Sequence, residues 1–132
     1  MKYLLDSNVI AAAIKGRLPV VLKLSKLRPG DVAVSVLGKL EAEAGLRREA
    51  RLQSRFGKLL KEFLASVTVL DIGGAVAQQA LVVIGSTQGE GDRLSGFDLL
   101  TAATALAHQL TLVTERPQAY ASVVGLEVET WK

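Results

Sequence analysis

Three carboxylates stand out along the chain because of where each falls relative to a predicted strand or helix. Asp6 closes the first predicted strand, Glu41 falls about one turn into the helix after the second strand, and Asp98 opens the helix before the fourth. In an open α/β fold, ligands bind outside the carboxyl ends of parallel strands, so all three acids can reach one edge of the sheet. Carboxylates that converge there repel one another unless a cation neutralises them, and oxygen ligands suit Mg²⁺ or Mn²⁺. The predicted chemistry is metal-assisted hydrolysis of a phosphodiester bond.

Two of these acids also have an ordinary structural interpretation. Asp98 sits in the first turn of a predicted helix, where the helix dipole favours a negative charge. Glu41 borders the buried face of its helix and is also compatible with a surface acid. The prediction of a metal site therefore depends on the three carboxylates lying together.

The elements that position these acids alternate along the chain. Helical spacing predicts two short helices between residues 9 and 27, then helices from 36, over 47–65, over 75–84 and over 99–108. The loosest stretch, 85–92, is predicted to be a mobile loop. Alternation of this kind favours a three-layer α/β/α domain around a mostly parallel five-stranded sheet, with predicted strands at 2–5, 32–36, 66–71, 110–114 and 126–130.

Composition limits the class of protein and of metal site. At 132 residues, the chain is expected to form one domain spanning 1–132. It has no cysteine and a single histidine, His108, so a metal would be held mainly by oxygen atoms. The absence of disulfides, of a leader and of an apolar run of ~20 residues predicts a soluble, cytoplasmic protein without membrane contact.

Positive charge is concentrated in the middle of the chain. The formal net charge is +3, and six basic residues fall within fifteen positions. Such a cluster can attract a polyanion or an acidic partner, but it is also typical of a solvated helix face. These residues are Arg47, Arg48, Arg51, Arg55, Lys58 and Lys61.

Several segments, taken in order, resemble a known family over nearly the whole chain. They are similar to the PIN domain and, more narrowly, to the VapC-type toxins of bacterial toxin–antitoxin pairs. The resemblance implies an Mg²⁺- or Mn²⁺-dependent endoribonuclease that cuts tRNA, rRNA or mRNA, forms a homodimer and is silenced by a cognate antitoxin. The segments are 4–10, 34–35 with Glu41 and 45–46, 98–105, 110–114 and 125–131.

The resemblance also implies roles for particular residues. Asp6, Glu41 and Asp98 match the metal-binding acids of the family, which hold the ion and orient the attacking water. Asn8 and Thr114 match its polar supporting residues. No residue matches a separate general base.

The chain departs from the family pattern after the fourth predicted strand. Ala119 stands where members commonly carry a further acid, and Gly96 stands where many have an aspartate. Glu115 is a candidate replacement for the missing fourth metal ligand; the alternative is that nothing replaces it. A missing acid would weaken a second metal position, because these sites are sensitive to ligand count.

Two other functions compete with the nuclease prediction. A PIN-fold protein could bind RNA or antitoxin while having weak or lost cleavage through the change at Ala119. A two-component receiver domain has a similar order of elements, but it needs a pair of adjacent acids after the first strand and a lysine after the fifth. This chain offers a single Asp6 at the first position and has no lysine between Lys61 and Lys132. On the nuclease prediction, the four arginines Arg47, Arg48, Arg51 and Arg55 bind RNA, or they face an acidic antitoxin segment.

Overall fold

Five short strands form one parallel sheet at the centre of the fold. A computed structural model describes residues 1–87 and 94–132. The strands lie in the order β3-β2-β1-β4-β5, and every neighbouring pair is parallel because a helical segment carries the chain back between strands. The predicted five-stranded, mostly parallel sheet is confirmed. The bounds are β1 (Tyr3–Leu5), β2 (Val32–Ser35), β3 (Thr68–Leu70), β4 (Thr111–Val113) and β5 (Val128–Glu129).

The fifth strand is shorter than its sequence suggests. Only Val128 and Glu129 pair with β4, whereas the apolar pattern predicts a strand over 126–130. Gly125 turns the chain with φ of +81°, a conformation that residues with a Cβ rarely adopt, and the chain enters the sheet only after this turn. Trp131 then leaves the sheet and packs in the core against Tyr3, with ring centroids 5.3 Å apart.

Six α-helices connect and cover the strands in the described part of the chain. Two of them begin at a serine cap: Ser35 Oγ accepts a hydrogen bond from Gly38 N–H, and Ser95 Oγ accepts one from Asp98 N–H. The fifth helix continues to Thr87, so residues 85–87 of the predicted mobile loop are helical, and 88–92 lie outside the described residues. The helices are α1 (Ser7–Ile14), α2 (Leu18–Ser25), α3 (Val36–Arg47), α4 (Ala50–Ser66), α5 (Gly74–Thr87) and α6 (Gly96–Ala107).

Both faces of the sheet are covered by helices. Successive residues of a strand point to opposite faces, and the neighbours Leu4 and Leu5 accordingly belong to different core clusters. Leu5 packs with Ile10 of α1 and the other residues on that face, whereas Leu4 packs with Ala102 and its neighbours on α6. The three-layer α/β/α architecture is therefore confirmed. None of the helices in the described ranges has both the length and the apolar character needed to cross a bilayer.

The strand order creates a crevice at one position along the sheet edge. From central β1 the chain builds outward through β2 and β3, then returns to add β4 and β5 on the other side. The connections leaving β1 and β4 therefore diverge, which opens a crevice outside their carboxyl ends. Asp6 follows β1 and Thr114 follows β4, so both residues lie at this crevice.

Candidate active site

Asp6 is held firmly at the carboxyl end of β1. It is the N-cap of α1, and its Oδ1 accepts a hydrogen bond of 2.8 Å from the backbone N–H of Ser7. Its Oδ2 accepts a 2.9 Å hydrogen bond from the hydroxyl of Thr114 across the crevice. The side chain is only 4% exposed. Two neighbouring strands thus fix the orientation of one buried carboxylate.

Asp98 reaches the same crevice from the first turn of α6. Tyr120, at the end of the 3-10 segment Pro117–Tyr120, connects the two acids. Its hydroxyl lies 3.1 Å from Asp98 Oδ1 and 3.4 Å from Asp6 Oδ2, so it can donate a hydrogen bond to either oxygen. The predicted convergence of Asp6 and Asp98 is present in the structure.

Arg116 pairs with both aspartates. Its Nη1 and Nη2 lie 3.3 and 2.9 Å from the two oxygens of Asp98, which is the bidentate arrangement that a guanidinium favours. Nη2 is also 3.6 Å from Asp6 Oδ2. The backbone N–H of Arg116 donates to the Thr114 hydroxyl at 3.1 Å. One guanidinium is therefore shared by the acidic pair, which we define as Asp6 and Asp98.

Burial and the contacts among Asp98, Arg116 and Tyr120 shift the pKa values of all three side chains. Burial raises the pKa of the Asp98 carboxyl. The hydrogen bonds and the positive charge of Arg116, together with hydrogen bonds from Tyr120 and Ser95, outweigh burial and hold that pKa below its ordinary value. Hydrogen bonding to Asp98 raises the pKa of Arg116. Burial and then the charge of Asp6 raise the pKa of Tyr120, so its hydroxyl remains a donor at neutral pH.

Glu41 is coupled to the acidic pair but does not join it closely. Burial raises the pKa of its carboxyl, the charge of Asp6 raises it further, and a hydrogen bond with Ser7 acts in the opposite direction. Glu41 lines a cavity of about 220 Å³ together with Ser7 and Asn8, whose buried Oδ1 finds no hydrogen-bond partner within the described residues. In residues 1–87 and 94–132, no three acidic or histidine side chains are gathered closely enough to hold a metal ion.

The structure gives Glu115 a partner outside the acidic pair. Its Oε2 lies 2.6 Å from Nη1 of Arg17, a pair in which the arginine is 55% exposed. Ala119, at the position of the missing acid, packs against the core cluster that contains Tyr120. A role for Glu115 as a fourth metal ligand stays a prediction.

Sequence reasoning missed the contributions of Arg116 and Tyr120. An isolated tyrosine near the end of a chain is ordinarily interpreted as a packing residue, and Tyr120 is buried with only 1% of its surface exposed, but its hydroxyl also contacts both aspartates. Arg116 comes two residues after Thr114, which closes β4 beside β1. That proximity is the signal that could have identified it, because a long cationic side chain at this point can reach a carboxylate that closes the neighbouring strand.

The basic residues at the end of α3 and the start of α4 face solvent. Arg47, Arg48, Arg51 and Arg55 are all exposed, and none of them forms an ion pair within the described residues. Arg48 follows Glu41 by seven residues, which is about two helical turns and about 10 Å along α3. The arginine cluster, defined by these four residues, therefore lies within about two helical turns of Glu41 at its near end.

Comparison with known proteins places this chain among relatives that share its length and fold. It is 24% identical to the tRNA(fMet)-specific endonuclease VapC of Shigella flexneri and 25% identical to ribonuclease VapC2 of Haemophilus influenzae, each over 99% of this chain and 98% of the relative. Its fold matches the VapBC2 structure of Rickettsia felis, bound to a promoter DNA fragment, with a TM-score of 0.86, 23% identity and full coverage of both chains. The DNA-bound VapBC structure of Salmonella typhimurium gives a TM-score of 0.88 at 20% identity, covering 100% of this chain and 99% of that one.

A family model agrees with this likeness. The model of the PIN domain matches residues 3–116, a range that includes the acidic pair, Glu41, Thr114 and Arg116. The strands that carry the crevice, β1 and β4, both fall within the match. The chain belongs to the PIN domain family.

Proposed function

We propose that this chain is a metal-dependent endoribonuclease toxin of a toxin–antitoxin pair, acting in the cytoplasm on RNA phosphodiester bonds. The observation that carries the proposal is the convergence of Asp6 and Asp98 around one positive group, at the crevice where β1 and β4 end. The family match and the full-length similarity to proteins named endonuclease and ribonuclease support the same activity.

The residues of the crevice fit a hard divalent cation. Asp6 and Asp98 offer carboxylate oxygens, the donors that Mg²⁺ and Mn²⁺ prefer, and they already share a positive charge supplied by Arg116. Glu41 is coupled electrostatically to Asp6 but stands apart from the acidic pair in the described residues, so it would have to approach the pair to become a third ligand. Bound there, the ion would lower the pKa of a water molecule and stabilise negative charge on the phosphate.

The neighbouring polar residues position the acids. Thr114 donates to Asp6 Oδ2 and Ser7 N–H donates to Oδ1, so the carboxylate cannot rotate freely. Tyr120 donates to the acidic pair, and its raised pKa keeps the proton in place. These groups act by orientation, in the way that outer hydrogen bonds fix metal ligands.

A growth experiment tests this proposal in cells. Induced expression of the wild-type chain in a bacterial host is expected to arrest growth, because uncontrolled RNA cleavage stops protein synthesis. The matched variant Asp98→Asn keeps the size of the side chain but removes one acid of the pair, so growth should continue. Normal growth with the wild-type chain at confirmed expression, or equal arrest with both chains, would contradict the nuclease activity.

The arginine cluster is proposed to bind the phosphates of the RNA substrate. Replacing Arg47, Arg48, Arg51 and Arg55 together with glutamine should weaken RNA binding and flatten its salt dependence. Each phosphate contact to single-stranded RNA contributes about 0.7 to the slope of log K against log salt, so losing four contacts should reduce the slope by about 3. Fluorescence anisotropy with a labelled RNA measures this; an unchanged slope would point to an acidic antitoxin segment instead.

Partners other than RNA are proposed from the exposed apolar surface. Large apolar side chains face solvent on α2, where Leu18 is 64% exposed, and on α5, where Leu81 and Val82 are 65% and 61% exposed. Surface of this kind is typical of protein interfaces. We assign it to a cognate antitoxin and to a second copy of the chain in a homodimer, which is consistent with similarity to VapBC complexes.

One observation favours a second candidate function. The acidic pair holds Arg116, and no third acid converges with it in the described part of the chain. An RNA- or antitoxin-binding protein with weak or lost cleavage would have such a site permanently filled by its own arginine. Metal titration distinguishes the two functions, because only the nuclease requires Mg²⁺ or Mn²⁺ to bind at the acidic pair.

A further inference from the structure

The acidic pair already contacts a cation that belongs to the chain. Nη2 of Arg116 lies 2.9 Å from Asp98 Oδ1 and 3.6 Å from Asp6 Oδ2. Tyr120 Oη approaches the same two oxygens, at 3.1 and 3.4 Å. One oxygen of each carboxylate in the acidic pair, where a metal ion would be held, is thus engaged by one guanidinium nitrogen and one hydroxyl.

The exposed fractions of the three charged side chains indicate which of them is free to move. The side chain of Arg116 is 47% exposed, whereas those of Asp98 and Asp6 are 14% and 4% exposed. Asp6 is anchored by Ser7 and Thr114. A half-exposed arginine can turn its charged head into water while its stem stays in contact with the protein. Release of the guanidinium is therefore easier than rearrangement of the acids.

We propose that Arg116 is a resident counter-ion that competes with a divalent cation for Asp6 and Asp98, so that metal binding requires release of its guanidinium. The inference rests on the metal site of the proposed function. With Arg116 in place, one of the two negative charges of the acidic pair is balanced, and the attraction for an arriving cation is reduced. The observed association constant for the metal is then the intrinsic association constant multiplied by the fraction of molecules in which the Arg116 guanidinium is released from the acidic pair.

Calorimetric titration with Mn²⁺ in the absence of RNA tests the competition. Arg116→Met keeps most of the stem and removes the charge, so it should bind Mn²⁺ about tenfold more tightly than wild type. Arg28→Met is the matched control: it makes the same change at an exposed arginine just before β2, at the opposite edge of the sheet. Its Mn²⁺ affinity should stay within about twofold of wild type, because salt and water screen distant surface charges.

A thermal measurement gives a second signature of the same competition. Without Mn²⁺, Arg116→Met should unfold at a lower temperature than wild type, because two close carboxylates lose their shared cation. Added Mn²⁺ should then raise its Tm by more than it raises the Tm of wild type. Arg116→Lys keeps the charge but cannot bind both oxygens of Asp98 at once, so its Mn²⁺ affinity should fall between those of the other two proteins.

The outcomes separate this inference from the proposed function. Equal Mn²⁺ affinity for wild type and Arg116→Met would overturn the competition and leave the metal site standing. Binding of Mn²⁺ to neither protein would overturn the metal site and the competition with it. If Arg116→Met does not fold, an Arg116→Lys protein that binds Mn²⁺ with the same affinity as wild type would equally overturn the competition.

Discussion

Asp6→Asn is expected to lower the rate of RNA cleavage by roughly 100-fold or more, since in the proposed nuclease the metal and the attacking water would both depend on this carboxylate. The substitution is nearly isosteric: the asparagine oxygen can still accept the hydrogen bond from Ser7 N–H, and its NH2 group then faces the Thr114 hydroxyl, whose oxygen can accept from it. The chain should therefore fold as wild type does. Single-turnover cleavage of a labelled RNA with Mn²⁺ in excess measures the effect.

Asp71→Asn is the matched control for that experiment. Asp71 follows β3 just as Asp6 follows β1, but β3 lies two strands away from β1 in the sheet, about 10 Å at the usual strand spacing. Its side chain is exposed, and we expect the cleavage rate to remain unchanged. Equal loss of activity in both variants, or full activity of Asp6→Asn, would remove Asp6 from the mechanism.

Tyr120→Ala is expected to cause the largest loss of stability among single substitutions at the site. Tyr120 is 1% exposed and packs in the core cluster that contains Leu4 and Leu112. Truncating a buried aromatic side chain costs about 3–5 kcal/mol, because it loses contacts and leaves a cavity. Urea denaturation of the metal-free protein measures this as a lower midpoint with a similar slope.

Tyr120→Phe separates packing from hydrogen bonding. It keeps the ring and removes only the hydroxyl that lies 3.1 Å from Asp98 Oδ1, so it should cost about 1.5–3 kcal/mol, the range for a hydrogen bond to a charged group. Tyr3→Phe removes the other tyrosine hydroxyl and should change stability by less than about 0.5 kcal/mol. A Tyr120→Phe protein as stable as wild type would show that its hydroxyl does not support the acidic pair.

Much of the fold is predictable from the sequence because periodicity and chain order act locally. The apolar segments before Asp6 and before Thr114 predict strands, and both strands occur where expected. Alternation of strands with helices predicts parallel pairing, and the sheet is parallel throughout the described residues. The extent of the fifth strand was harder to predict, because pairing with β4 depends on the turn at Gly125 and not on apolar character alone.

The site was only partly predictable. Asp6 and Asp98 could be placed together because both lie at ends of predicted elements, and the structure brings them to one hydroxyl and one guanidinium. The partner of Glu115 could not be predicted, because Arg17 is 98 residues away in sequence. Which of several nearby cations pairs with an acid depends on side-chain direction, and spacing alone does not determine that direction.

The most direct test of the central claim is to map the 5′ ends of RNA cut by the purified protein. Total bacterial RNA would be incubated with the wild-type chain in Mn²⁺, with the same chain in EDTA, and with Asp6→Asn in Mn²⁺, and the new 5′ ends would be sequenced. The account predicts discrete new ends in the first reaction and none in the other two. The same ends in EDTA or with Asp6→Asn, or no new ends in any reaction, would contradict a metal-dependent nuclease centred on Asp6 and Asp98.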